Sequence, residues 1–105
     1  MELTKVGSAL SNRTRVRLLQ LLSEQSHSTQ SACEEYNDKY SDSKHRESIY
    51  RGLEKLVESG LVRKEYESEN KRLEYTLRVE SLYVDLEKAT VHEAEDNGQT
   101  SLSER

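Results

Sequence analysis

The sequence predicts a mainly α fold with one small β-hairpin, an α+β class. Apolar residues recur at helical spacing through most of the first sixty positions. Gly60 then stands where a helix-ending glycine is expected, and two short strand-like runs follow it directly. A chain of 105 residues suits one domain with one core. With 32% hydrophobic and 34% charged residues that core must be thin. Pro, Trp and Phe are absent, so Leu, Val and six Tyr must fill it.

Along the chain, Leu3, Val6 and Leu10 fall on one face of a first short helix. Asn12 is a good N-cap for a second, over about 13–23, whose Val16, Leu18, Leu19, Leu21 and Leu22 give a wide apolar side. The polar stretch 23–28 reads as a linker. A weaker helix over about 29–40 has the narrow stripe Cys33, Tyr36 and Tyr40. Ser41-Asp42-Ser43 then forms a turn that also offers N-caps. The strongest helix, over about 43–59, puts Ile49, Leu53, Leu56 and Val57 on one face. A hairpin over about 61–78 follows, with Leu73, Tyr75, Leu77 and Val79 alternating with polar residues and a charged tip, ESENK. From about Glu80 the spacing of Leu82, Leu86 and Ala89 predicts a last helix to about residue 95. Residues 96–105 lack apolar periodicity and read as a disordered tail.

Two helices joined by a short turn and followed at once by a hairpin make the winged helix-turn-helix plan. In that plan the second helix of the pair enters the major groove of DNA, held by an apolar face and reading with a polar one. Lys44, Arg46, Glu47, Tyr50 and Arg51 lie opposite Ile49, Leu53 and Leu56, with His45 near the helix start. Arg46 and Arg51 suit either bidentate reading of guanine or a grip on phosphate. Glu47 suits either a cytosine amine or an i,i+4 pair with Arg51. At the hairpin tip Lys71 and Arg72 suit the neighbouring phosphate backbone or minor groove, diluted by Glu65, Glu67 and Glu69.

The net charge of −4 is unevenly placed. Residues 1–78 hold 14 Lys/Arg against 13 Asp/Glu, and residues 79–105 hold 2 against 7, leaving room for a basic face early in the chain. No run approaches the roughly 18 apolar residues of a membrane span. There is no secretory h-region, and Cys33 is the lone cysteine, which together favour a reducing cytoplasm. No glycine-rich phosphate loop or apolar carboxylate pair suggests an enzyme, and nothing positions Cys33 against His27, His45 or His92. Cys33 reads as a small buried thiol. His92 and Glu95 form a His-x-x-Glu pair that reads as a charged helix end; a metal site across a dimer is the sharper alternative.

Two stretches carry a family resemblance. Ala9-Leu10-Ser11-Asn12-Arg13-Thr14-Arg15-Val16-Arg17-Leu18-Leu19 resembles the opening of ArsR-type winged-helix regulators, where an Ala-Leu helix end, a polar cap and a Thr-Arg pair follow one another. The stretch from Ser48 to Val62, with Ile49-Tyr50, Leu53, Leu56 and Gly60-Leu61-Val62, is similar to the recognition helix of PadR-type and ArsR-type repressors. The resemblance spans roughly residues 3–79. It implies a dimeric repressor on a palindromic operator, with Arg46, Glu47, Tyr50 and Arg51 facing bases and backbone. The chain departs from that pattern in its polar first motif helix, in Gly52 inside the recognition helix, and in lacking the Cys-x-Cys metal pair of ArsR relatives.

The expectation is thus a winged-helix domain over about 1–95, acting as a homodimeric, sequence-specific DNA-binding repressor without cofactor or metal. Its partners would be double-stranded operator DNA, a second copy and, for regulation, a further protein; no membrane contact is expected. The last helix, apolar on more than one side, is the expected dimer element through Leu82, Tyr83, Leu86 and Ala89, joined by Leu3. The alternative is a winged-helix protein–protein module whose same face binds protein, as the acidic balance allows.

Overall fold

The computed structural model describes residues 1–94. Four helices come first, α1 (Leu3–Leu10), α2 (Arg13–Glu24), α3 (Thr29–Lys39) and α4 (Arg46–Ser59). Four strands follow, β1 (Val62–Glu67), β2 (Arg72–Leu77), β3 (Leu82–Asp85) and β4 (Thr90–Glu93). The expected tail, 96–105, and Glu95 lie outside the described residues.

α2 and α3 start where their polar residues dictate. Asn12 accepts a hydrogen bond from the Arg15 N–H at 3.0 Å, so α2 begins at Arg13 as expected. Ser28 caps α3 with Ser31 in a reciprocal capping box, so the stretch read as a linker ends as a helix cap. α4 closes on Gly60, whose φ of 91° is a left-handed conformation that glycine adopts without a Cβ penalty.

The core lies where the inner sides of the helices meet β1 and β2. Leu18, Leu21, Ala32, Tyr36, Ile49, Leu53, Leu56, Val62 and Tyr75 are buried there. β1 and β2 pair antiparallel from Val62↔Leu77 to Glu67↔Arg72. A one-residue third strand joins them: His27 bridges Tyr75 through backbone bonds of 3.1 and 2.7 Å. That bridge ties the α2–α3 connection to the sheet. The expected inward stripe of β2 holds for Tyr75, whereas Leu73 is half exposed because it lies toward the outer end of the hairpin.

The last expected helix is not formed. Residues 82–93 are a second antiparallel hairpin, with Leu82↔Glu93, Tyr83↔His92, Val84↔Val91 and Asp85↔Thr90 in register. Tyr83, Val84, Thr90 and Val91 are strand-favouring types, and they flank a turn in which Asp85 Oδ1 accepts from the Lys88 N–H at 3.0 Å. The i, i+4, i+7 spacing of Leu82, Leu86 and Ala89 is therefore a coincidence of three residues. Leu82 packs half-buried on the core, Tyr83 is exposed on β3, and Leu86 and Ala89 sit in the turn, Ala89 with a φ of 57°. Leu3 is half-buried on α1. No helix among the described residues is long and apolar enough to cross a membrane.

His27 is buried, and its Nδ1 lies 2.9 Å from Ser31 Oγ. Burial holds its imidazole below the ordinary value, and the carboxylates of Glu35 and Glu74 only partly counter this. The unfolded chain therefore binds this proton more readily than the folded one. The stability that depends on neutral His27 is complete above about pH 6.5 and is lost as the pH falls toward the lowered folded value. Thermal melts between about pH 7.5 and 5.5 should show a falling Tm for the parent and a flatter profile for His27→Gln. Parallel profiles would remove His27 from this role.

Candidate nucleic-acid interface

α4 is amphipathic in a way that fixes what it offers outward. Ile49, Gly52, Leu53, Leu56 and Ser59 are buried, whereas Arg46, Glu47, Tyr50, Arg51, Lys55 and Glu58 are exposed. Gly52 sets the depth of seating. A Cβ built there would lie 3.0 Å from Leu18 Cδ1 and 3.7 Å from Arg15 Cγ of α2. The close approach at Gly52 is thus to side chains of α2.

The turn before α4 is held by side chains of α2 and α3. The Asn37 carboxamide accepts from the Lys44 N–H at 2.8 Å and donates to the Lys44 carbonyl at 3.0 Å. This doubled bond keeps Lys44 out of the helix, so α4 starts at Arg46 and not at about residue 43. His45 is its N-cap by position but makes no side-chain cap. Lys44 and His45 accordingly stand in the turn leading into the helix. Cys33 is half-buried beneath this turn, its Sγ 3.6 Å from the Lys44 carbonyl.

A second tether ties the same turn to α2. The buried Tyr36 hydroxyl donates to Asp42, and Arg17 Nη1 donates to Asp42 at 2.9 Å and to Tyr36 Oη at 3.2 Å. The Arg17 guanidinium also lies over the Tyr40 ring, 4.2 Å from its centroid. Desolvation works to raise the Asp42 pKa, but the Tyr36 bond and the Arg17 and Lys44 charges outweigh it and hold the carboxyl below its ordinary value.

The third tether joins α4 to the hairpin. Glu54 accepts from Tyr75 Oη at 2.6 Å and from Lys64 Nζ at 2.8 Å, one partner from each strand. Burial, and then the bond to Glu54, push the Tyr75 phenol above its usual range. At the tip, Lys71 has a left-handed φ of 53°, and the Asn70 N–H donates to Glu67 Oε1 at 2.6 Å. Arg72 is engaged by Glu74 through Nε at 3.2 Å and Nη2 at 3.1 Å, so of the two expected tip cations only Lys71 is outside every ion pair among the described residues.

No family model matches the chain, and no characterised protein matches it by sequence. Solved structures do. The chain is similar to the ferric uptake regulator of Vibrio cholerae at 18% identity and a TM-score of 0.56, over 89% of this chain and 74% of that one. It is also similar to the ferric uptake regulator of Pseudomonas aeruginosa, solved with manganese, at 20% identity and a TM-score of 0.57, over 98% of this chain and 81% of that one.

The fold is a winged helix. At these identities the likeness is one of fold, and it does not extend to ArsR or PadR membership. β1–β2 is the wing, and α3–α4 is the helix-turn-helix pair. The Vibrio structure is described in terms of its DNA-binding domains.

Of the residues expected to meet DNA, Arg46, Glu47, Tyr50 and Arg51 are brought together on the exposed side of α4. Lys71 and Arg72 are separate from them, at the wing tip. Glu47 and Arg51 form an i,i+4 pair at 3.3 Å. Sequence reasoning missed Arg15 and Lys55, which line a polar cleft with Lys44 and Arg51, and also Asn37 and Glu54, which hold α4 in place. A basic i, i+4 repeat at Arg51 and Lys55 was the available signal for Lys55. The pairing partners of Asn37 and Glu54 lie too far along the chain to leave one. His92 is exposed on β4 with Nε2 3.0 Å from Thr90 Oγ1. Among the described residues no group of three or more His, Cys, Asp or Glu is arranged to hold a metal ion.

The wing tether can be cut without changing shape. Tyr75→Phe removes the bond to Glu54 and should cost about 1 kcal/mol, seen as a Tm fall of roughly 4–8 °C in a domain of this size. An unchanged Tm would mean that the wing is held by backbone pairing and packing alone.

Proposed function

We propose that this is a cytoplasmic, sequence-specific DNA-binding transcriptional regulator, a repressor that works as a homodimer on a palindromic operator. α4 would lie in the major groove and the wing on the adjacent backbone. The observation that carries this reading is the division of labour on α4. Its inner side is consumed by the core, while Arg46, Tyr50, Arg51 and Lys55 bond to no other element among the described residues.

The Glu47–Arg51 pair is compatible with this role. Both side chains are more than two-thirds exposed, and such pairs contribute only about 0.3–0.5 kcal/mol. A bidentate Arg–guanine contact is worth about 1–3 kcal/mol, enough to draw Arg51 away. The stretches that resemble ArsR- and PadR-type repressors coincide with the α1–α2 corner and with α4, which supports the same reading.

The homodimer is supported by β3–β4. It is a separate two-stranded sheet with Tyr83, Val84 and Leu86 exposed at 48%, 42% and 82%. Two-stranded hairpins are marginal alone in water, so a second copy packed there would complete it. Tyr83 and Leu86 thus remain proposed interface residues, on a hairpin in place of a helix. Sedimentation velocity of the full chain should show a dimer that Leu86→Glu shifts toward monomer; a monomeric parent would remove this part of the proposal.

Fluorescence anisotropy against a mixed duplex pool tests DNA binding. Saturable binding that weakens with salt is expected, with Arg46→Ala and Arg51→Ala each costing on the order of tenfold on preferred sequences. No binding at low salt would favour the alternative, a winged-helix module whose face binds protein.

A further inference from the structure

On the flank of α4 away from the wing lies a cleft of about 460 Å³ between α4 and the α1–α2 corner. It is lined by Arg15 of α2, Lys44 of the turn, and Arg51 and Lys55 of α4, and no carboxylate lines it. Gly52 is what brings these cations together, since a larger residue would hold α4 off Arg15 and Leu18. Ser48 and Thr14 add hydroxyls to the walls.

The cations are not equally committed. Arg15 spends Nε and Nη2 on the Ala9 and Ser8 carbonyls, both at 2.9 Å, which fixes its guanidinium in place without neutralising it. Arg51 has Glu47, and Lys44 has Asp42 at 3.8 Å, both on exposed, weak pairs. Lys55 takes part in no ion pair among the described residues. Four positive charges around one concave wall, one of them rigidly held, select for an anion.

Groove dimensions say which anion. An α-helix with its side chains is about 10–12 Å across, and the major groove is about 12 Å wide. A helix that fills the groove therefore brings a bounding phosphate backbone against each flank. The wing side meets one backbone; the cleft lies where the other would pass.

We infer that this cleft, built from Arg15, Lys44, Arg51 and Lys55, seats a phosphodiester of the DNA strand bordering the groove that α4 enters. The inference rests on the DNA-binding reading above. It adds Arg15 and Lys55 to the interface and assigns the cleft to positioning rather than base reading: it sets how deep and at what angle α4 lies, whatever the sequence.

The test measures the salt dependence of duplex binding by anisotropy for the full chain, for Lys55→Gln, for the Lys44→Gln/Lys55→Gln double variant and for Lys88→Gln. Lys88 is exposed in the β3–β4 turn, outside the proposed DNA interface, and sedimentation velocity is used to check that Lys88→Gln keeps the oligomeric state of the parent. Lys55→Gln should lower the slope of log K against log salt by about one, and the double variant by about two, with sequence preference unchanged. Lys88→Gln should keep the parent slope. If Lys55→Gln matched Lys88→Gln while Arg46→Ala still impaired binding, the cleft would not touch DNA and the DNA-binding reading would stand. If the parent bound no duplex at low salt, both would fall together.

Discussion

Gly52 brings α4 against α2 so closely that a Cβ there would lie 3.0 Å from Leu18 Cδ1, and the depth at which α4 presents its exposed side chains follows from that contact. Leu18 is fully buried and has little freedom to move aside. An alanine at position 52 would gain about 1 kcal/mol of helix propensity, but overpacking a filled core costs about 1–3 kcal/mol. The balance favours the glycine that a local reading of helix propensity counts as a defect. The same contact draws Arg15 toward Arg51 and Lys55, so one packing choice both seats the helix and builds the basic cleft beside it.

Apolar packing sets how close α4 lies, but a greasy face alone leaves rotation and tilt soft. Three polar tethers remove that freedom. Asn37 grips both backbone groups of Lys44, Tyr36 and Arg17 hold Asp42, and Glu54 joins both wing strands to the middle of α4. Two of them anchor on buried phenols, Tyr36 and Tyr75. In a chain with no Phe or Trp, tyrosine serves as core filler and as hydrogen-bonding anchor at once. The helix and wing are thereby fixed as one surface.

What was legible in the sequence is what repeats locally. α2 and α4 announce themselves through wide apolar stripes, Asn12 and Gly60 mark two of their ends, and the Tyr75 alternation marks the wing. What was hidden depends on partners distant in the chain or on too few residues. His27 forms a strand one residue long, which has no period. In the β3–β4 hairpin Leu82, Leu86 and Ala89 mimic helical spacing, while the β-branched residues around the Asp85 turn carry the truer signal. Asn37 delays the start of α4 by pairing with Lys44, a contact across a turn that neither residue's type foretells. Arg46, Glu47, Tyr50 and Arg51 were found because one helix face groups them. Arg15 was not, because it joins them only through the fold.

The overall acidity of the chain, −4, looks at odds with a nucleic-acid surface until the carboxylates are followed to their partners. Glu54 is spent on Lys64 and Tyr75, Glu74 on Arg72, Asp42 on Arg17 and Tyr36, and Glu93 on Arg78. These four carboxylates thus work as internal fastening, and each such pair also neutralises a cation. On α4 and at the wing tip, Arg46, Lys55 and Lys71 stay outside every ion pair among the described residues, beside pairs weak enough to exchange. An interface with few committed charges relies on counterion release at a handful of points rather than on a broad basic patch. Under the proposed function, such a surface would hold DNA weakly and indiscriminately only at low salt, and would leave discrimination to the small group exposed on α4.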